Sequence, residues 1–91
     1  MKGTKVEYEW VLEVLDEHGD IDPDPCTSYA ECLERSKEHK RFDIVLVRDL
    51  GDEDRGLLDR QWAYVDKDGN FDGGFDRGVP KRFQKEVATV S

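Results

Sequence analysis

The sequence predicts an α+β domain. An antiparallel sheet of about four strands carries one main helix on one face, in the order β-α-β-β-β, and a short C-terminal helix or arm follows. Three observations predict it. Val6–Asp16 alternates apolar and acidic residues. Two further runs, Arg41–Asp49 and Arg60–Lys67, are rich in β-branched and aromatic side chains. A single helix-start signature stands between the first and second of these strands. Ninety-one residues are enough for one domain with one small core. Residues 1–78 are expected to form that domain, and residues 79–91 a basic C-terminal arm or short helix packed on it.

In the first strand, Val6, Tyr8, Trp10, Leu12 and Val14 share one side, and Glu7, Glu9 and Glu13 share the other. Val11 and Leu15 interrupt the acidic side. His18-Gly19 permits a tight turn, which leaves room for a short return strand around Asp20–Asp22 before Pro23 and Pro25 stop it. Ser28-Tyr29-Ala30-Glu31 fits a capping box and predicts a helix over about Ser28–His39. Its apolar stripe, Tyr29, Leu33 and Ser36 with Ala30 and Cys32 at the borders, is thin, so the helix depends on packing against the sheet. Arg41–Asp49 is apolar on both faces, as central strands are. LGDEDRGLLD then reads as a polar loop, and Arg60–Lys67 as a strand with Trp62 and Tyr64 on one face and Ala63 and Val65 on the other.

YVDKDGNFDGGFD, from Tyr64 to Asp76, resolves into a hairpin rather than a calcium loop. Counting from Asp66, oxygen ligands fit at Asp66, Asp68 and Asn70, but Phe71 stands where such a loop needs Gly and Arg77 where it needs Glu. A two-residue Asp68-Gly69 turn would set Trp62 opposite Phe75, Tyr64 opposite Gly73 and Asp66 opposite Phe71. The aromatic face with Tyr8, Trp10 and Trp62 is then expected to meet the helix. The second face, with Val11, Leu15, Val45, Val47, Ala63 and Val65, is too apolar to stay bare. Either the C-terminal arm covers it through Phe83 and Val87, or a partner does.

Charge narrows the function. Charged residues are 40% of the chain and the net charge is −8. Residues 1–76 hold ten Lys and Arg against 21 Asp and Glu, whereas residues 77–91 hold Arg77, Lys81, Arg82 and Lys85 against Glu86. An acidic body opposes direct binding of nucleic acid and favours a basic protein partner. No run of about 20 apolar residues is present to span a bilayer, and MKGTKVEYEW lacks the apolar core of a secretion signal, so the cytoplasm is expected. Cys26 and Cys32 are then reduced thiols. With His18 and His39 they lack the close ligand pairs of zinc sites. The acidic stretches DLGDEDRGLLD and DIDPD read as hydrated loops, and no phosphate-binding glycine motif occurs. No local signature of a nucleophile with its base is present. The candidate site is the basic segment with its single aromatic: Arg77, Lys81, Arg82, Phe83 and Lys85, a docking segment for an acidic or apolar partner unless its cations lie on the acidic body and Phe83 plugs the second face.

LLDRQWAYVDKDG, followed by VPKRFQKE, resembles short bacterial and phage open reading frames with no assigned function. The resemblance spans about the last third of the chain. It implies no catalytic residues, and it implies a phage or mobile-element origin, where small acidic proteins sometimes act as inhibitors. The leading expectation is a non-catalytic, cytoplasmic interaction module without cofactor, monomeric or homodimeric. The alternatives are an anti-CRISPR-like inhibitor that presents carboxylates in place of nucleic acid phosphates, and a metal-dependent enzyme using Asp or Glu.

Overall fold

The computed structural model describes residues 4–52, 57–75 and 78–90. In chain order the elements are β1 (Thr4–Leu15), β2 (Ile21–Cys26), α1 (Tyr29–Ser36), β3 (Phe42–Asp52), β4 (Leu57–Val65), β5 (Phe71–Asp72) and α2 (Lys81–Val90). The strands form one antiparallel sheet in the order β2-β1-β3-β4-β5. The α+β class and the antiparallel sheet agree with the sequence expectation. The sheet has five strands rather than about four.

The added strand is β2, which runs through both prolines. It lies at the sheet edge and pairs only with β1. A strand there can leave alternate backbone nitrogens out of the ladder, so a missing N–H at Pro23 and Pro25 costs little. Its connection to β1 has a twin elsewhere in the chain. In Asp16-Glu17-His18-Gly19-Asp20 the Asp16 carboxylate accepts from the amides of His18 (2.8 Å) and Asp20 (2.9 Å), and Gly19 has φ 83°. In Asp66-Lys67-Asp68-Gly69-Asn70 the Asp66 carboxylate accepts from Asp68 (2.9 Å) and Asn70 (2.8 Å), and Gly69 has φ 83°. Both are three-residue hairpin loops closed by the same backbone pair, Asp16–Asp20 and Asp66–Asn70.

The three-residue loop corrects the expected register. Val65 pairs with Phe71 and Tyr64 with Asp72, and the ladder ends there. Trp62 does not face Phe75. The chain instead lies against β4 at Gly74, where a Cβ would collide with the Trp62 carbonyl oxygen. Phe75 then turns in beneath the helices, 6.2 Å from the Tyr8 ring.

α1 starts as expected and ends sooner. Ser28 Oγ accepts from the Glu31 amide at 3.1 Å, but Glu31 does not complete the box. Its carboxylate takes the Thr27 hydroxyl (2.6 Å) and the Arg35 guanidinium (2.8 Å). Tyr29, Cys32 and Ser36 are buried on the sheet, while Ala30 is exposed.

Residues directly opposite in a sheet share a face. On the first face Trp10 aligns with Leu46 and Ala63, and Leu12 with Ile44, Val65 and Phe71. Both helices pack there and make the main core with these residues. The molecule measures 44 × 32 × 21 Å, and its thinnest dimension matches two layers at ~10 Å each. No described element lies on the second face.

Candidate docking surface

Within the basic segment, Phe83 and Arg82 pack against the aromatic core. Pro80 opens α2, its carbonyl accepting from the amides of Phe83 (3.0 Å) and Gln84 (3.3 Å). Spacing of four then puts Phe83 and Val87 on one side. Val87 is buried in the main core, and the Phe83 ring lies 4.8 Å from Tyr8 and 6.1 Å from Trp10. Arg82 stacks over Tyr8 (5.2 Å) and Phe83 (4.6 Å). Glu86 accepts from the Tyr29 amide at 2.8 Å and so satisfies a donor at the start of α1. Lys81 and Lys85 are exposed. Arg77 lies outside the described residues. The arm therefore packs on the same face as α1 and does not cover the second face.

The second face carries the surface that remains. One row across it reads Tyr64, Val45, Val11, Pro25, and the next reads Trp62, Val47, Glu9. Val11, Val45 and Val47 form a separate small apolar cluster. Val45 is fully buried although no helix covers it. Tyr64 lies beside Val45 on the same row, and burial together with the nearby Glu13 carboxylate pushes the Tyr64 phenol pKa up. Trp62 is 44% and Tyr64 39% exposed. Neither ring stacks on another ring or under a cation among the described residues, in contrast to Tyr8, Phe75 and Phe83.

This assignment reverses the expected faces of β4. Trp62 and Tyr64 lie outward, and Ala63 and Val65 lie under the helices. Ala63 fits the crowded side because helices, Phe75 and aromatics from β1 already fill it, which leaves no room for a Trp. The parity of the connection between β3 and β4 decides which set turns inward, and nothing in the local pattern fixes that parity.

The valine floor is framed by charge. Glu7, Glu9 and Glu13 from β1, Asp43 and Asp49 from β3 and Asp72 from β5 all project from this face. Arg60 on β4 opposes them, and Asp49 holds it at 2.6 Å. Between Trp62 and the β2 prolines lies a depression of about 290 Å³ floored by Val11, Val45 and Val47.

Cys26 and Cys32 are both free and buried. Burial, with the adjoining Cys26 thiol, pushes the Cys32 thiol up and keeps it protonated. Among the described residues no group of three or more His, Cys, Asp or Glu is placed to hold a metal, and no helix is long and apolar enough to cross a membrane. Compared with models of protein families, with curated proteins and with solved structures, the chain finds no match.

Proposed function

We propose that the chain is a non-catalytic, acidic interaction module that docks a basic protein segment on its second sheet face. The observation that carries this is one sheet face without a helix on it, where the exposed rings of Trp62 and Tyr64 and a frame of carboxylates surround a small valine cluster. Interfaces concentrate binding energy in such exposed Trp and Tyr side chains. The surrounding charge selects the partner, since acidic potential raises the encounter rate with a cationic surface. A second copy of the chain is disfavoured because it would set like-charged faces together.

The inhibitor reading keeps one supporting observation. Glu7 and Glu9 follow each other on β1 at steps of ~7 Å, a spacing that resembles a charged backbone. Val11 breaks that line, and a phosphate strand offers nothing like the valine floor or Trp62. A basic peptide segment is therefore the better fit.

The test is differential capture. Full-length protein, a Trp62→Ser variant and a Lys81→Ser/Lys85→Ser variant are used as bait in extracts of the source cell, and the captured proteins are identified by mass spectrometry. A purified basic protein should then bind wild type and the lysine variant alike, bind Trp62→Ser at least ~tenfold more weakly, and weaken with salt. If the lysine variant loses the partner and Trp62→Ser keeps it, docking belongs to α2 and the proposal is wrong.

A further inference from the structure

We infer that the depression beside Trp62 seats one lysine or arginine side chain of the partner, with its cation over Val47 between the Trp62 ring and the Glu9 carboxylate. This rests on the reading of the second face as a docking surface and names the chemistry of its anchor.

The geometry carries it. Trp62, Val47 and Glu9 occupy one row on three adjacent strands. Strand spacing is ~4.8 Å, so the indole and the carboxylate flank a gap about two strands wide, with a valine beneath it. The adjoining row, Val45 and Val11, continues the apolar floor towards Pro25. A side chain seated there needs an apolar stem of several methylenes ending in a cation. Lysine and arginine have that form. A Trp face is the strongest aromatic seat for a cation. Arg60 lines one side of the depression and its charge reaches Glu9, but its Nε is bound to Asp49 on its own row at 2.6 Å, so its hydrogen bond goes to Asp49 rather than into the seat. Glu13 lies at the far end of the floor opposite Asp43, whereas Glu9 shares the row of Val47 and Trp62, which makes Glu9 the carboxylate of the seat.

The experiment titrates the isotopically labelled full chain with blocked peptides of the form Ala-Val-X-Val-Ala, where X is lysine, arginine or norleucine, and follows amide and indole signals by NMR. The lysine and arginine peptides should move the Trp62 indole signal and the amides of Val45 and Val47. The norleucine peptide, which keeps the stem without the charge, should bind at least ~threefold more weakly, and Glu9→Gln should weaken the lysine peptide by a similar factor. Glu9 is exposed, so the variant should keep the wild-type amide spectrum elsewhere. Equal binding of norleucine and lysine peptides overturns the cation seat while leaving an apolar docking face intact. Shifts gathered at the acidic turns 16–20 and 66–70 overturn both readings. If Glu9→Gln has no effect, or no peptide shifts the floor, the seat is wrong, and differential capture with Trp62→Ser then judges the docking face by itself.

Discussion

Replacing Phe83 by alanine separates a structural α2 from a docking arm. A fully buried Phe truncated to Ala costs about 3–5 kcal/mol. Phe83 is only partly buried, with one side against Tyr8 and Trp10 and the other under the Arg82 guanidinium. A loss somewhat below that range, about 2–3 kcal/mol, is expected. A domain of this size has a total stability of roughly 5–14 kcal/mol, so the loss is a substantial fraction of it. With a urea slope of about 1–3 kcal/mol per molar, the unfolding midpoint should fall by roughly 0.7–3 M. Tryptophan fluorescence is a suitable readout because Trp10 is buried and lies 6.1 Å from the Phe83 ring. Lys81→Ser with Lys85→Ser, which changes only exposed side chains, should move stability by less than about 0.5 kcal/mol. A Phe83→Ala loss below about 1 kcal/mol would refute the reasoning, because the ring would then not rest on Tyr8 and Trp10 in solution.

Three further outcomes are expected. Gly74→Ala should destabilise by about 2 kcal/mol or more in urea or thermal unfolding, because the new methyl meets the Trp62 carbonyl oxygen, a backbone atom with little room to move. Asp16→Ala and Asp66→Ala should each cost about 0.5–1.5 kcal/mol, similar to one another because the two turns use the same bonds, and millimolar calcium should leave the wild-type melting temperature unchanged. Alkaline pH should weaken the fold through Cys32. Its thiol is held above its unfolded value, so the folded state keeps a proton that the unfolded state releases. Stability is then complete below about pH 8.5 and falls as pH rises above it, by at most ~1.4 kcal/mol per pH unit. Urea midpoints of wild type and Cys32→Ala between pH 7 and 9.5 check this, and the variant should show the shallower fall. Tyr64, also held up, adds a slope of the same sign only above about pH 10.

Local rules made the elements legible. The alternation of β1, the double-sided apolarity of β3 and the Ser28 cap are each written in a few adjacent residues, and each is found in the structure. The errors lie where a distant partner decides. Pro23 and Pro25 read as a stop, yet an edge strand tolerates them, and whether a strand lies at an edge is a property of the whole sheet. Asp68-Gly69 read as a two-residue turn, yet the Asp66 side chain organises a three-residue one. That shift, together with the close approach at Gly74, separates Trp62 from Phe75. The wrong face for Trp62 has the same kind of origin: aromatic side chains were expected inward, but Ala63 is the residue that fits beneath two helices. The uncovered face was thus legible as a valine cluster, while its exposed aromatic rim was not.

The bond from Glu86 to the Tyr29 amide has a consequence for the order of folding. It spans 57 residues, from the last helix back to the first. With eight residues, α1 is well below the ~12–15 at which an isolated helix becomes even marginal in water. Its persistence therefore depends on the β1 surface beneath it and on a carboxylate that arrives only when α2 docks. The two helices should consequently form as one late cooperative unit on a sheet already paired, and hydrogen exchange at the Tyr29 amide should report the opening of α2 as much as that of α1.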